Sequence, residues 1–453
     1  MSLVIGMGGL SGMGGMPGLA AAEGAGTISQ PLDQLGQSLT PIGAERAGNG
    51  TDIPAWTGGL EQSQKREAGF HVDPYQTDIP VVRISAANMA AHQERLTLGQ
   101  QTLLEKYPSL YLEVYPSRRS ASYPDYVYDA LKSNAAHSQL LPYGSGVNGT
   151  VMTSPFPIPE NGLEVLWNHT LRFRGHSLSY SAVSSVVTES GQRMDTLRDY
   201  RMYVNYSEPG LVPHEVDNKI FMMTRKTLEP TSQSGRVVLV HETMDQISSP
   251  RKSWLYVPGQ RRLRRTPDLA YDTPDPNNQS LRTIDQVDMF NGAPDHYDWA
   301  LLGKQEVYIP YNAYPLHQGS VEIDELLLHN HPNPSLMRYE PHRVWVIEAT
   351  LRLGYQHKYA KRRYYLDEDS WSIVYAEEYD AEGQLLQVSE AHLINYYDVP
   401  LIYPTLEVTY DLESGFYYVE GLDNEREHAI RFADNGLRER DFSTNAVRRS
   451  VKR

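Results

Sequence analysis

The sequence predicts a mainly β fold of the α+β type, built on one large antiparallel sheet that can curve. In residues 343–352, the side chains of Trp345, Ile347 and Leu351 point to one side of a strand and the residues that alternate with them point to the other side. Residues 371–378 alternate in the same way. Strict alternation over this length requires pleated strands with two unlike faces. Polar turns at residues 367–370 and 380–383 join such strands into a broad antiparallel sheet, whose concave side can shelter a ligand.

Shorter strands and a few helices are predicted around these two strands. Turn residues such as Gly175, Gly191 and Gly259 separate strands at residues 171–174, 178–188, 198–206, 220–227, 236–243 and 253–257. A helix is predicted over residues 85–107, where Pro108 ends it, and a second runs from Pro124 to about residue 135. Residues 320–328 form either a short strand or a helical turn, and Ser443 or Thr444 begins a short basic helix.

Three segments are expected along the chain: a signal-peptide-like segment at 1–22, an irregular segment at 23–84, and the curved-sheet domain at 85–453 with helical and loop insertions. Residues 4–22 carry no charge and end in small residues, as at a signal-peptidase site, but the basic n-region is missing. The signal is therefore atypical or truncated, and a disordered tail is the alternative. No later segment is apolar enough to span a bilayer, so we expect a soluble periplasmic protein, possible outer-membrane association being left open.

Composition excludes several classes of function. The formal net charge of −15 argues against broad binding to nucleic-acid phosphates. The absence of cysteine excludes disulfides, thiolate zinc sites, cysteine nucleophiles and iron–sulfur clusters. The chain has 31 Tyr and only 8 Phe, which suits the half-wet faces of a sheet and the rims of clefts.

A glycine motif at residues 144–149 matches G-x-G-x-x-G, the dinucleotide fingerprint. Such a site requires a strand before the motif and a helix after it, so that the pyrophosphate meets free N–H groups. Here Pro142 precedes the motif, and prolines in residues 150–159 prevent a helix from starting. We therefore reject a nucleotide site.

Metal sites are also disfavoured. His329 and His331 would share one face of a strand, with His317 or His342 as a third ligand, but prolines follow at once and no known ligand spacing is matched. Two acidic sets could hold calcium, yet both lack the central Gly and terminal Glu of a helix–loop–helix site, so solvated acidic loops are expected: Asp285, Asp288 and Asn291; Asp272, Asp275 and Asn277. We expect neither cofactor nor metal, and no catalytic set can be named.

A basic arm follows the turn at Pro258 and Gly259. Its members are Arg261, Arg262, Arg264 and Arg265. Both faces of a strand here would be charged, which fits an exposed edge with carboxylate partners nearby. The alternative is contact with an anionic ligand headgroup or a partner protein, because guanidinium forks bind phosphate and carboxylate well.

Four long stretches resemble a family of exported proteins of unknown function from Gram-negative bacteria, commonly labelled "outer membrane lipoprotein-sorting protein". The stretches are LTPIGAERAGN (39–49) with IPAWTGG (53–59), WLYVPGQRRLRR (254–265), NGAPD (291–295) with YDW (297–299), and YEPHRVWVIEAT (339–350). The family is similar to the LolA/LolB lipoprotein carriers, and this resemblance implies an incomplete antiparallel barrel whose concave side is covered by helices. It also implies envelope transport beside a resistance-nodulation-division exporter and an outer-membrane partner, and it implies no catalytic residues.

Three functions are therefore considered. The leading hypothesis is a periplasmic carrier or chaperone, not an enzyme, that buries a lipid-like ligand against Trp345, Ile347, Leu351, Trp371 and Tyr375. The opposing interpretation is that this face packs entirely on the protein's own helices. The alternative function is a structural adaptor that links an inner-membrane pump to an outer-membrane protein through the basic arm. A hydrolase with dispersed carboxylates is the third and weakest candidate.

Overall fold

One 16-stranded sheet organises the part of the chain that the computed structural model describes, namely residues 32–266, 272–275, 278–432 and 436–451. Two additional sheets have two strands each. The strands are β1 (Arg66–Glu67), β2 (Phe70–His71), β3 (Val82–Ile84), β4 (Leu112–Val114), β5 (Gln139–Leu140), β6 (Val147–Asn148), β7 (Ser177–Val187), β8 (Arg193–Tyr203), β9 (Lys219–Thr227), β10 (Val237–Thr243), β11 (Lys252–Val257), β12 (Arg262–Thr266), β13 (Tyr297–Pro310), β14 (Tyr339–Leu351), β15 (Lys361–Asp367), β16 (Ile373–Tyr379), β17 (Leu385–Asn395), β18 (Ile402–Asp411), β19 (Tyr417–Leu422) and β20 (Arg431–Phe432).

The strand order across the sheet is β12-β11-β10-β9-β8-β7-β19-β18-β17-β16-β15-β14, and β13 pairs with the other side of β14. Each of these neighbours is antiparallel; β4 adds one parallel pair to the start of β14. Within the described residues, β12 and β13 do not pair with each other, so the sheet is not a closed barrel. The prediction of a mainly β fold with a large, open antiparallel sheet is confirmed.

The described helices are few and short: α1 (Leu98–Lys106), α2 (Asp125–His137), α3 (Gly162–Leu171), α4 (Ile323–Leu326) and α5 (Thr444–Ser450). The predicted helix after Pro124 is confirmed as α2, and Ser443 caps α5 by accepting a hydrogen bond from the Ala446 N–H. In the described ranges, no helix combines the length and apolar character that crossing a bilayer requires.

Two of the predicted elements are wrong, and capping explains both. The helix predicted over residues 85–107 is interrupted after a 3-10 helix (Met89–Arg95), because Thr97 is extended and forms a reciprocal capping box with Gln100 at the start of α1. The strand predicted at residues 171–174 is not formed, because α3 occupies the chain up to Leu171. Asn161 caps α3 by accepting a hydrogen bond from the Glu164 N–H.

The sheet curves around a cavity. Side chains of β10 and β18 line the same cavity of about 140 Å³, although β9, β8, β7 and β19 lie between these strands. Neighbouring strands are about 4.8 Å apart, so a flat sheet would hold β10 and β18 roughly 24 Å from each other. The face that carries these side chains is therefore concave, and we call it the concave face.

Cross-strand pairing extends the concave face over the rest of the sheet. Glu407 of β18 lies opposite Glu420 of β19, and Gln387, Glu378 and Arg362 continue the same side through β17, β16 and β15. Four of these five side chains are ionisable, and such groups are costly to bury unless they are paired. The concave face consequently needs a cover that carries complementary charge.

Residues 281–291, here called the covering segment, supply part of that charge. Arg282 forms ion pairs with Glu407, at 3.2 Å, and with Glu420, so one guanidinium bridges two carboxylates of neighbouring strands. Gln286 donates from its side-chain amide to Glu378 at 3.2 Å. The covering segment is therefore held to β16, β18 and β19 by polar contacts.

Two aspartates of the covering segment also form ion pairs with the rest of the fold, and they follow Arg282 at intervals of three residues. Asp285 pairs with Arg362, whose side chain is fully buried. Asp288 accepts hydrogen bonds from Arg172, at 3.1 Å, and from Arg174, at 2.7 Å, which follow α3. The guanidiniums lower the pKa of Asp288 to about 2 although burial alone would raise it. The expectation of solvated acidic loops is wrong here, because these carboxylates are neutralised by buried arginines.

We predict that Asp285→Asn destabilises the protein by about 3–5 kcal/mol, because it removes the nearer of the two carboxylates that pair with the buried Arg362 guanidinium and leaves only Glu378, at 3.6 Å. The matched control is Asp298→Asn, which removes the exposed partner of Arg352 and should cost about 0–1 kcal/mol. Urea unfolding of the three proteins measures the difference. Similar small losses in both variants would show that the covering segment is not anchored through this pair.

Candidate functional site

The cavity on the concave face is the candidate functional site. Strands β7, β8, β9, β10, β11, β18 and β19 form its walls, and residues of the covering segment border it. Its lining includes aromatic, methionine and valine side chains, among them Tyr180, Tyr200, Phe221, Met223, Val240 and Tyr403. Pockets for small molecules have this composition, in which a largely apolar wall contains a few polar groups.

The volume of about 140 Å³ limits what fits inside. An enclosed apolar cavity of about 150 Å³ holds one benzene ring, whereas sites for whole drug-sized ligands have roughly 300–1,000 Å³. The cavity therefore accommodates one ring or a short acyl segment in this conformation.

Tyr180 and Tyr200 form an aromatic wall next to Glu407 and Glu420. Their rings are stacked, with centroids 4.7 Å apart and planes inclined by 6°. Tyr200 donates a hydrogen bond from its hydroxyl to Glu420 at 3.0 Å, and Glu420 also meets Arg282. The hydrogen bond of the Tyr200 hydroxyl therefore fixes this wall, and both rings line the cavity, where they can contact an apolar group.

The pKa values of the two glutamates of this wall are shifted in opposite directions. Burial raises the pKa of Glu407, against the opposing effect of the Arg282 guanidinium. Burial acts in the same direction on Glu420, but the Arg282 and Arg225 guanidiniums hold the pKa of Glu420 below its usual range. Because both glutamates pair with Arg282, Glu407 takes up a proton more readily than Glu420 does, and the two groups titrate as a pair.

Sequence reasoning predicted most of the strands of this site but missed the cavity itself. The one signal was the occurrence of Tyr180 and Tyr200 at inward positions of consecutive strands, where they are cross-strand neighbours. Arg225 is the cross-strand neighbour of Tyr200 on β9. No spacing within one strand shows that these residues meet Tyr403, which is about 200 positions away in sequence.

The structure places the five predicted lining residues away from this cavity; they are Trp345, Ile347, Leu351, Trp371 and Tyr375. The rings of Trp345 and Trp371 are stacked with centroids 6.0 Å apart. The Trp371 indole N–H donates to the Ile42 carbonyl at 3.0 Å. Ile347 is fully buried and Leu351 is half-buried. Ligand contact by these residues stays a prediction.

Tyr375 does not share a face with Ile347. Tyr375 is the cross-strand neighbour of Tyr365, but Val374 is skipped before the next pair, and this bulge reverses the alternation in β16. The Tyr375 hydroxyl accepts a hydrogen bond at 2.6 Å from the side chain of Gln100, which belongs to α1. The structure thus brings Trp345 and Trp371 together and directs Tyr375 to the opposite face, which α1 covers.

The basic arm lies at one end of the sheet, where β12 is the last strand. Arg262, Arg264 and Arg265 are exposed on β12, whereas Arg261 lies in the preceding turn with a left-handed φ of 47°. Arg448 of α5 borders the same surface depression as Arg261, Arg262 and Arg264. The predicted exposed hairpin arm is confirmed, and its binding role stays a prediction.

The glycine motif forms no nucleotide site. Residues 142–144 make a 3-10 turn, and the short strand β6 at Val147–Asn148 pairs back to β5. The next helix, α3, begins at Gly162, too far along the chain to present its N-terminal N–H groups to a ligand on the motif.

The predicted metal candidates are not assembled into a metal centre. His331 is buried, with its Nε2 atom 2.7 Å from the Ser109 hydroxyl, and His329 is exposed. In the described residues, the group with metal-like spacing contains His342 but neither of these histidines nor His317. The two predicted calcium sets also differ from solvated loops. Asp285 and Asp288 of the first set form the buried ion pairs described above. In the second set, Asp275 is buried and Asn277 lies outside the described residues.

The group around His342 is an internal ion network. Donor atoms of His342, Asp367 and Asp369 lie within 4.8 Å of one another. His342 Nδ1 is 3.2 Å from Asp367 and Nε2 is 3.4 Å from Glu340, while Arg119 holds Asp369 at 2.7 Å. Burial opposes the charged form, but the hydrogen bonds to Asp367 and Glu340 raise the pKa of His342 to about 9. The imidazolium and guanidinium thus offset two of the three negative charges of these carboxylates.

The family described as "Protein of unknown function (DUF1329)" matches residues 83–448. The chain is 40% identical to the uncharacterized protein PA3922 of Pseudomonas aeruginosa over 434 residues, which is 95% of each protein.

Similar solved structures include three proteins of low sequence identity. A Vibrio parahaemolyticus domain named for outer membrane lipoprotein sorting is 18% identical, with a TM-score of 0.43 over 63% of this chain and 98% of that one. A DUF1329 family protein from Desulfovibrio piger is 14% identical, with a TM-score of 0.41 over 60% and 92%. The LolA superfamily protein NE2245 from Nitrosomonas europaea is 14% identical, with a TM-score of 0.35 over 63% and 99%.

We predict that the His342 network makes the protein less stable in alkaline solution. A histidine whose pKa rises from about 6.5 in the unfolded chain to about 9 in the folded protein stabilises it fully below pH 6.5. That contribution decreases as the pH rises through 9. The free energy of unfolding, measured between pH 6 and 9.5, should therefore fall more steeply for the native protein than for His342→Gln. The exposed His428, replaced by Gln, serves as control and should keep the native slope; equal slopes in all three proteins would contradict the prediction.

Proposed function

The chain belongs to the DUF1329 family of proteins of unknown function, and we propose that it is a non-enzymatic carrier that binds a hydrophobic ligand in the concave cavity. One observation supports this most strongly: the covering segment closes much of the concave face but leaves a cavity with an aromatic and aliphatic wall. Burying each methylene group of a ligand there is worth about 0.8 kcal/mol before ordering costs. The ligand class is lipid-like, with one ring or a short acyl segment enclosed by the cavity.

The carboxylates around the cavity favour binding over hydrolysis. Glu242 accepts a hydrogen bond from Arg251 at 2.6 Å, and Asp288 is held by Arg172 and Arg174. A general base must be free to reach a proton of the substrate, whereas these carboxylates are already engaged by guanidiniums. We therefore assign them to maintaining the shape of the site.

A periplasmic location is part of this proposal. The uncharged segment at 4–22 ends in small residues, which fits export through a signal peptide. The sequence resemblance to lipoprotein-sorting proteins adds transport towards the outer membrane, together with a resistance-nodulation-division exporter. The predicted contacts of Trp345 and Trp371 would belong to a second ligand surface, distinct from the cavity.

The cavity is tested by filling it. We predict that Val240→Trp weakens binding of the fluorescent one-ring probe methyl anthranilate at least tenfold, about 1.4 kcal/mol, because the indole occupies the space that the probe needs. The control is Val81→Trp, which places the same side chain at a position that is 65% exposed. Fluorescence titration measures the dissociation constants. Absence of probe binding to the native protein, or equal binding to both variants, would contradict a carrier that uses this cavity.

A structural adaptor is the second candidate, and the position of the basic arm favours it. Three of its four arginines lie on the edge strand β12, whose outer side has no paired strand in the described part of the chain. Exposed charges protect such an edge from unwanted pairing and can also bind an acidic partner.

We predict that the double variant Arg262→Glu/Arg264→Glu abolishes pull-down of the exporter from detergent-solubilised envelopes, because it reverses the charge that an acidic partner would meet. Arg236→Glu reverses one exposed charge elsewhere and should leave the pull-down unchanged. Capture of the exporter by the double variant at the native level would rule out this use of the arm.

A further inference from the structure

Arg225 of β9 is the one lining arginine of the cavity without a described ion pair. Its side chain projects into the cavity between Tyr200 of β8 and Val238 of β10, its two cross-strand neighbours. Among the residues that the structure describes, its guanidinium makes no hydrogen bond or close ion pair, and Asp275 and Glu420 act on it only through longer-range attraction. A half-buried guanidinium with five unused donors favours an anionic partner.

The other arginines of the site are occupied. Arg251 donates to Glu242 and to the Asn291 carbonyl, each at 2.6 Å. Arg174 donates to Asp288 and to the Thr170 carbonyl, each at 2.7 Å. Because Arg251 and Arg174 already have carboxylate partners and Arg225 has no described one, Arg225 is the lining arginine that is available to a ligand.

The ion pairs around the cavity agree with this assignment. Among the described residues, five guanidiniums line the cavity or pair with a carboxylate that lines it: Arg172, Arg174, Arg225, Arg251 and Arg282. Four of them form ion pairs with Asp288, Glu242, Glu407 or Glu420. Arg225 is therefore the guanidinium of this set whose charge a ligand can meet.

We propose that the ligand of the cavity is a hydrophobic carboxylic acid, whose carboxylate pairs with Arg225 while its apolar part lies among Tyr200, Phe221 and Met223. This inference rests on the proposed function, since it names the chemical class of the carried molecule. A carboxylate matches one guanidinium fork and carries the negative charge that Arg225 needs for an ion pair. The apolar side chains on both sides of Arg225 place the headgroup directly beside the hydrophobic part of the cavity.

The experiment compares three probes with the same apolar part: 4-phenylbutyrate, 4-phenylbutanol and 4-phenylbutylamine. Each ring matches the size of the cavity, and the headgroups are anionic, neutral and cationic at pH 7. Calorimetric titration of the native protein should show at least about tenfold tighter binding of the acid than of the alcohol, and the weakest binding for the amine. In Arg225→Gln the acid should lose this advantage while the alcohol binds as before.

Two further variants keep the result interpretable. Arg225→Lys retains the charge without the fork and should keep part of the preference for the acid, while Arg236→Gln removes an exposed arginine and should keep all of it. Equal binding of acid and alcohol by the native protein, or a loss of all three probes in Arg225→Gln, would overturn the inference and leave the carrier function standing. Binding of none of the probes to the native protein would contradict the carrier function itself.

Discussion

The structure depends on neutralising charge that the sheet places on its own concave face. Strands β15, β16, β18 and β19 direct ionisable side chains inward, and a buried charge is tolerated only with a partner. The covering segment meets this requirement with Arg282, Asp285 and Asp288, which are spaced at every third residue. Each of the three reaches opposite charge on a different part of the fold. The position of this segment then decides which part of the concave face is filled and which part stays open.

This constraint separates two regions of the sheet. In β16 every residue is buried, because α1 and the covering segment lie against opposite faces. In β9 and β10, by contrast, inward residues such as Met223, Val238 and Val240 are only half-buried. A ligand can therefore gain apolar contacts beside β9 and β10 without displacing side chains, whereas β16 offers no comparable space.

Sequence alone was sufficient for the fold class and for most strand positions, because period-two alternation and turn residues are local signals. It was insufficient for the site. The bulge at Val374 changes which face Tyr375 occupies, and a one-residue irregularity of this kind has no signature within the strand. Likewise, the sequence around Asp285 and Asp288 is typical of a solvated loop. Their arginine partners, which are distant in sequence, are what allow these two carboxylates to be buried. Helix α3 has a local signal, the Asn161–Glu164 cap, but the predictions from sequence did not include this helix.

The same reasoning explains why an arginine can select a ligand in this cavity. Most charged groups near the site already have partners, so their energies are committed to the folded state and change little when a ligand enters. Arg225 differs because its guanidinium faces the open part of the concave face and is flanked by an aromatic ring and a valine. An interaction that is absent in the free protein and present in the complex contributes to affinity once the desolvation of both partners is offset. In the proposed complex, specificity therefore resides in the guanidinium that has no ion pair among the described lining residues, while the apolar wall supplies the general attraction for hydrophobic molecules.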